Sequence, residues 1–128
     1  FVAALTTRIR AGELVREIVF PCRRPNSRYA FMEVGNHAGG SALAIVCATA
    51  ETGDDDRLAQ LKIAASGIDS KPRRLRHVER ALLEGAGDLK RAYQRDLAER
   101  VHIVDDAVDD LVGVLVQDVA EALRRGTA

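Results

Sequence analysis

The hydrophobic periodicity of the chain changes within the segment Leu61–Gly85, and this change constrains the fold more than any other feature. Before it, apolar residues come in short runs that favour strands; after it, they recur every three or four positions, as in amphipathic helices. Leu61–Ala65 is typical of a strand end, and Ser66-Gly67 of a break, because glycine adopts backbone angles that other residues avoid. We therefore predict a strand, a tight polar turn and a helix that folds back onto the sheet.

The start of that helix is predicted from polar residues that precede the first apolar stripe. Asp69 and Ser70 can accept hydrogen bonds from the free amides of a helix start, and Pro72 suits a first helical turn. The helix is predicted to run from about Arg73 to Leu83, with Gly85 as its stop. Its buried stripe has apolar residues three and four positions apart: Leu75, Val78 and Leu82.

Four apolar runs predict the strands. Ala42–Ala50 is the most apolar and is predicted to be the best-buried strand, and Glu51–Arg57 after it is predicted to be an acidic hairpin turn. The four predicted strands are Val15–Phe20, Arg28–Val34, Ala42–Ala50 and Leu58–Ala65.

Two further helices are predicted after Gly85. Asp88 is placed to cap the second helix, and Asp105 or Asp106 the third. Gly113, inside the third helix, costs about 1 kcal/mol relative to Ala unless a neighbour packs against it. The second stripe is Leu89, Tyr93, Leu97 and Val101; the third is Val108, Leu111, Val112, Leu115, Val116, Val119 and Leu123.

The order of strands followed by helices predicts an α+β domain. We expect an antiparallel sheet of three to four strands followed by three helices packed on one face. All 128 residues are predicted to form one domain, with strands over about 15–65 and helices over about 73–125.

Composition excludes several function classes. Lys+Arg and Asp+Glu are both 19, so no overall field would steer the chain to nucleic acid, and Trp is absent. No apolar run approaches the roughly 20 residues of a membrane span. Cys22 and Cys47 are far apart, which favours two reduced thiols in a cytoplasmic protein over a disulfide.

No catalytic motif is found, so the chain is not expected to be catalytic alone. The histidines, His37, His77 and His102, have no Cys or carboxylate partner at metal-ligand spacing, and no metal site is predicted. Asp54-Asp55-Asp56 lacks the spaced ligands of a calcium loop. The basic clusters, Arg23-Arg24 with Arg28 and Lys71 with Arg73, Arg74 and Arg76, are interpreted as solvated surface.

The glycine-rich tract Gly35–Ser41 leaves two interpretations open. Glycines allow backbone amides to approach a phosphate, but the known phosphate-binding signatures continue into a helix. Here the following segment is strand-like, which favours a structural hairpin over a ligand loop.

Several segments, in this order and spacing, together resemble one known domain. The domain that they resemble is the C-terminal domain of the FAD-binding (medium) subunit in the carbon monoxide dehydrogenase and xanthine dehydrogenase family of molybdenum hydroxylases. Leu61–Gly85 is similar to a family signature with Pro, Arg, Glu, Leu and Gly in order. The resembling segments are Ala11–Pro21, Tyr29–Gly35, Ser41–Thr49, Leu61–Gly85 and Leu111–Leu123.

The resemblance implies a part in FAD-dependent electron transfer. The domain would cover FAD and dock molybdenum and iron–sulfur subunits, while an N-terminal FAD-binding domain would lie outside this chain, which begins at Phe1 rather than Met. A homo-oligomer is also compatible with the sequence. The implied FAD-facing residues are Met32, Gly35, Asn36, His37, Gly39, Gly40 and Ser41.

The sequence departs from the family within that tract. Family members often carry Lys or Arg where Met32 stands, and an Arg pair where Asn36 and His37 stand. We therefore expect that this chain alone does not hold FAD. The alternative is a non-catalytic interaction domain of the same fold that has lost flavin binding.

Overall fold

The computed structural model describes residues 6–22, 24–37, 40–85, 87–100 and 105–125. It confirms an α+β arrangement in which a four-stranded antiparallel sheet, in the order β1-β2-β3-β4, precedes three helices. Predicted Val101 and His102 lie outside the described residues. The elements are β1 (Ser27–Gly35), β2 (Ala42–Thr52), β3 (Leu58–Ser66), β4 (Arg73–Arg74), α1 (Arg76–Leu83), α2 (Leu89–Ala98) and α3 (Asp106–Arg125).

The sheet has one buried and one exposed face because side chains alternate along each strand. Val46 is fully buried and lies opposite Met32 of β1 and Ala65 of β3, so all three share the inner face. Cys47, the next residue, is exposed and lies opposite Phe31 and Ala64 on the outer face. The inner face of β2 is mostly alanine, which lets a helix approach closely: Ala44, Val46, Ala48 and Ala50.

The helices complete a single core on the inner face. α3 packs against β2 and β1, α1 packs against β3, and α2 packs mainly against α1. Gly113 of α3 faces the ring of Tyr93 on α2, and a Cβ there would lie 3.3 Å from a ring carbon. The predicted neighbour of this helical glycine is therefore present. No described helix has both the length and the apolar character needed to cross a membrane.

One predicted strand and the predicted start of the first helix are wrong. Val15–Phe20 forms no strand: it is exposed and has no sheet partner among the described residues, because alternation alone does not provide hydrogen bonds from a neighbouring strand. Arg73–Arg74 is not helical but forms β4, pairing with Ala65 and Ala64. The sheet still has four strands, with β4 in place of the predicted first one.

The turn before α1 also differs from prediction. Asp69 does not cap the helix: its carboxylate accepts hydrogen bonds from Ser70 and Arg73, and α1 begins three residues later than expected. Gly67 was correctly predicted to break the strand. Its φ is +102°, and a Cβ would lie 2.4 Å from the carbonyl oxygen of Leu43.

The other predicted helix ends are confirmed. The Asp88 carboxylate accepts from the amide of Arg91 at the start of α2. The Asp105 carboxylate accepts from Ala107 at the start of α3. Gly85 follows α1 with a φ of +69°.

Candidate functional site

The predicted tract Gly35–Ser41 is the connection between β1 and β2. Its described residues are exposed, and the amide of Gly40 donates to the carbonyl of His37 over 3.1 Å. A Cβ on Gly40 would lie 2.6 Å from the His37 ring, so the turn has room only for glycine unless that ring moves. β1 and β2 pair antiparallel on either side, which makes the tract a hairpin connection. Gly39 lies outside the described residues.

Met32 is separated from the rest of this tract. It is half-buried, lies opposite Val46 on the inner face and packs against the core, whereas Asn36 and His37 are exposed beyond the end of β1. The tract therefore offers a ligand backbone groups, an amide and an imidazole. In its described part it contains no lysine or arginine.

The outer face of the sheet is a flat, partly apolar surface that sequence reasoning did not single out. Phe31 is 59% exposed, Leu43 41% and Tyr29 40%, and Phe31 lies directly across from Cys47. Leu43 follows the tract by two residues, so tract and outer face are continuous. The sequence feature that indicates this outer face is the alternation of β1, whose odd-numbered residues include both of its aromatic side chains.

The Arg and Glu of the signature in Leu61–Gly85 form an ion pair. The guanidinium of Arg74 donates to both carboxylate oxygens of Glu79, over 2.6 and 2.7 Å. The same carboxylate accepts from the backbone amide of Ile63 over 2.8 Å, while the amide of Leu75 donates to the Ile63 carbonyl. The hydrogen bond and charge of Glu79 raise the pKa of Arg74. These residues fasten α1 to β3, which is a structural role.

A cluster of His77, Asp96 and Glu99 joins α1 to α2, and sequence spacing did not predict it. Their ligand atoms lie within 4.8 Å of one another, close enough to share a cation. The Asp96 carboxylate, however, already accepts from the amides of His77 and Val78 over 3.0–3.1 Å. These are the free amides at the start of α1, so Asp96 replaces the cap that Leu75 does not provide.

The charges around this cluster favour a structural contact between α1 and α2 over a metal site. Nε2 of His77 lies 2.8 Å from Glu99, and this hydrogen bond lowers the pKa of the Glu99 carboxyl, helped by the positive charges of Arg73 and Arg76. Burial raises the pKa of the Asp96 carboxyl, against the effect of the two amides. Nearby arginines disfavour a bound cation, since like charges repel.

Asp96→Ala is expected to lower the free energy of unfolding by about 1–3 kcal/mol, because two amides at the start of α1, that of Val78 buried, lose their acceptor. Asp96→Asn keeps an acceptor oxygen, so its free energy of unfolding is expected to fall clearly less. Urea unfolding followed by circular dichroism measures both. Equal losses for the two variants would contradict the capping role.

Comparisons with known proteins define the fold. No family model matches the sequence, and no curated protein gives a significant match. The structure is similar to CO dehydrogenase from Hydrogenophaga pseudoflava (TM-score 0.68, 18% identity) and to reconstituted CO dehydrogenase from Oligotropha carboxidovorans (TM-score 0.64, 16% identity). Each match covers 84% of this chain. A third is quinoline 2-oxidoreductase from Pseudomonas putida 86, with a TM-score of 0.60, 17% identity and 81% coverage.

This chain thus has the fold of a domain found in molybdenum hydroxylases. This is the class of enzymes that the sequence resembles. It spans about 40% of the length of the CO dehydrogenase chains.

Proposed function

We propose that this chain is the C-terminal domain of a molybdenum-hydroxylase flavoprotein subunit. It covers part of an FAD held by a separate FAD-binding domain and docks partner subunits for electron transfer. The observation that carries this proposal is the shared fold with CO dehydrogenase chains over 84% of the chain. The reduced thiols and cytoplasmic location predicted from the cysteines belong to the same proposal.

The signature residues support this assignment through their structural role. Arg74 and Glu79, which carry part of the family resemblance, hold α1 against β3 and so define the shape of the domain.

The surface assigned to the flavin side is the outer sheet face together with the tract Gly35–Ser41. Phe31 and Leu43 offer exposed apolar area for a flat ring or for the domain that carries it. Asn36 and the exposed turn backbone offer hydrogen bonds at its edge. Met32 would support the tract from the inner face without touching the cofactor.

The chain alone is expected not to bind FAD. A dinucleotide needs its pyrophosphate held by backbone amides, usually with a helix behind them, and the tract here leads into β2 instead. Titration of the purified domain with FAD, followed by flavin fluorescence and calorimetry, should show no binding. Addition of a separately expressed N-terminal FAD-binding domain of this family should restore binding.

Two matched variants test the assigned surface. Phe31→Ser on the outer face should weaken FAD capture by the two-part complex by about tenfold, as expected for loss of a buried aromatic contact. Val114→Ser, at a residue of similar exposure on α3, should leave it unchanged. Equal effects of the two substitutions on FAD capture would contradict the proposal. Micromolar FAD binding by the domain alone would also contradict it.

The second candidate is an interaction domain of the same fold without flavin contact. It is favoured by the lack of Lys and Arg in the described part of the tract and by the inward position of Met32. Failure of any FAD-binding domain to associate with this chain would support it.

A further inference from the structure

A groove between α1 and α2 carries three arginines, and we call it the arginine groove. It has a volume of about 220 Å³ and is lined by Arg80 of α1 and by Arg91 and Arg95 of α2. His77 lines the same groove, while Glu84 and Asp88 lie at the end where α1 connects to α2. Among the lining residues the acidic side chains lie only at that end, while Glu99 bonds to His77 away from it.

The three arginines of the groove are exposed, and none has an ion-pair partner within 4 Å in the part of the chain that the structure describes. By contrast, Arg73, Arg74 and Arg100 are all paired. Arg91 and Arg95 are four residues apart on one helix, where like charges repel and weaken the helix. An arrangement that costs stability in the free domain is explained if an anion covers it.

The charge of the helical half of the chain is strongly divided. Residues 71–95 hold eight Lys and Arg against three Asp and Glu, whereas residues 96–125 hold three against eight. The net charge of zero thus conceals one basic segment, and the residues of the arginine groove belong to it. Such a local field attracts an oppositely charged partner surface.

A phosphate site built on a helix start is a poor fit to this groove. Such a site uses free amides, and three of the amides at the two helix starts are taken. At the start of α1, His77 and Val78 donate to Asp96; at the start of α2, Arg91 donates to Asp88. What remains is side-chain charge spread along two helices, which matches several spaced carboxylates.

We propose that the arginine groove docks an acidic segment of a partner protein, with carboxylates placed over Arg80, Arg91 and Arg95. Glu84 and Asp88 orient the segment by repelling its carboxylates from the connection end. The inference rests on the partner-docking part of the proposed function. Its test uses the domain alone and an acidic peptide, so its outcome does not depend on FAD or on an FAD-binding domain.

The test is fluorescence anisotropy of fluorescein-labelled octaglutamate titrated with the domain at low and high salt. The variant R80Q/R91Q/R95Q is expected to bind about tenfold more weakly, as expected for three exposed ion pairs. The control R8Q/R10Q/R57Q removes the same charge from exposed positions outside α1 and α2 and should change binding less than twofold. High salt should abolish the difference between the wild type and the groove variant.

The groove variant should keep its melting temperature, since it relieves repulsion on α2. If the triple variant does not fold, the single variant Arg91→Gln replaces it in the test. Its affinity for octaglutamate should fall about two- to threefold. Absence of octaglutamate binding, or equal losses in groove variant and control, overturns the proposal. Pyrophosphate binding that depends on the three arginines more than octaglutamate binding does would overturn it in favour of a phosphate ligand. Salt-sensitive dimers lost in the groove variant, seen by sedimentation, would overturn it in favour of a second copy.

Discussion

Glu79→Ala is expected to lower the free energy of unfolding by about 2–4 kcal/mol. The carboxylate is 10% exposed, and it is the acceptor for both the Ile63 amide and the Arg74 guanidinium. Its loss leaves the amide of Ile63, within β3, without its acceptor. Urea unfolding followed by circular dichroism measures the change.

Two controls separate these contributions. Glu79→Gln keeps an acceptor for Ile63 but removes the charge that pairs with Arg74, so its loss should be smaller. Glu84→Ala, at an exposed residue after the end of the same helix, should stay within about 0.5 kcal/mol of the wild type. A Glu79→Ala variant as stable as Glu84→Ala would contradict the fastening role.

Leu115→Ala is expected to cost about 2–5 kcal/mol, because it opens a cavity where α3 packs on the sheet. Leu115 is 5% exposed and lies between the fully buried residues Val112 and Val119. The matched control is Val114→Ala on the same helix, at a side chain that is 56% exposed. An unchanged midpoint of thermal unfolding for Leu115→Ala would mean that this side of α3 does not face the core.

The strands and helices that could be predicted are those whose stability is encoded locally. β2 alternates small apolar residues, and α3 carries an apolar stripe over twenty residues, so each pattern indicates both the element and its buried face. The caps at Asp88 and Asp105 were also predictable, because a cap lies within three residues of the amides that it serves.

The candidate site was predictable only as a position in the chain. The tract Gly35–Ser41 was correctly placed between two strands, but which face of the sheet Met32 occupies depends on the register with Val46. The flat outer face became visible only when β1 and β2 were paired. The contact of this face with a flavin stays a prediction.

By itself, the sequence determined the fold class, the three long strands β1, β2 and β3, the turn at Gly67 and the described part of the stripes of the three helices. Tertiary structure decided the rest: that Val15–Phe20 is no strand, that Arg73–Arg74 pairs with β3, and that Asp96 caps α1 from another helix. The physical reason is the range of the interactions. Periodicity and local caps act within one turn or strand, whereas a sheet partner, a buried ion pair or a remote cap joins residues that only the folded chain brings together.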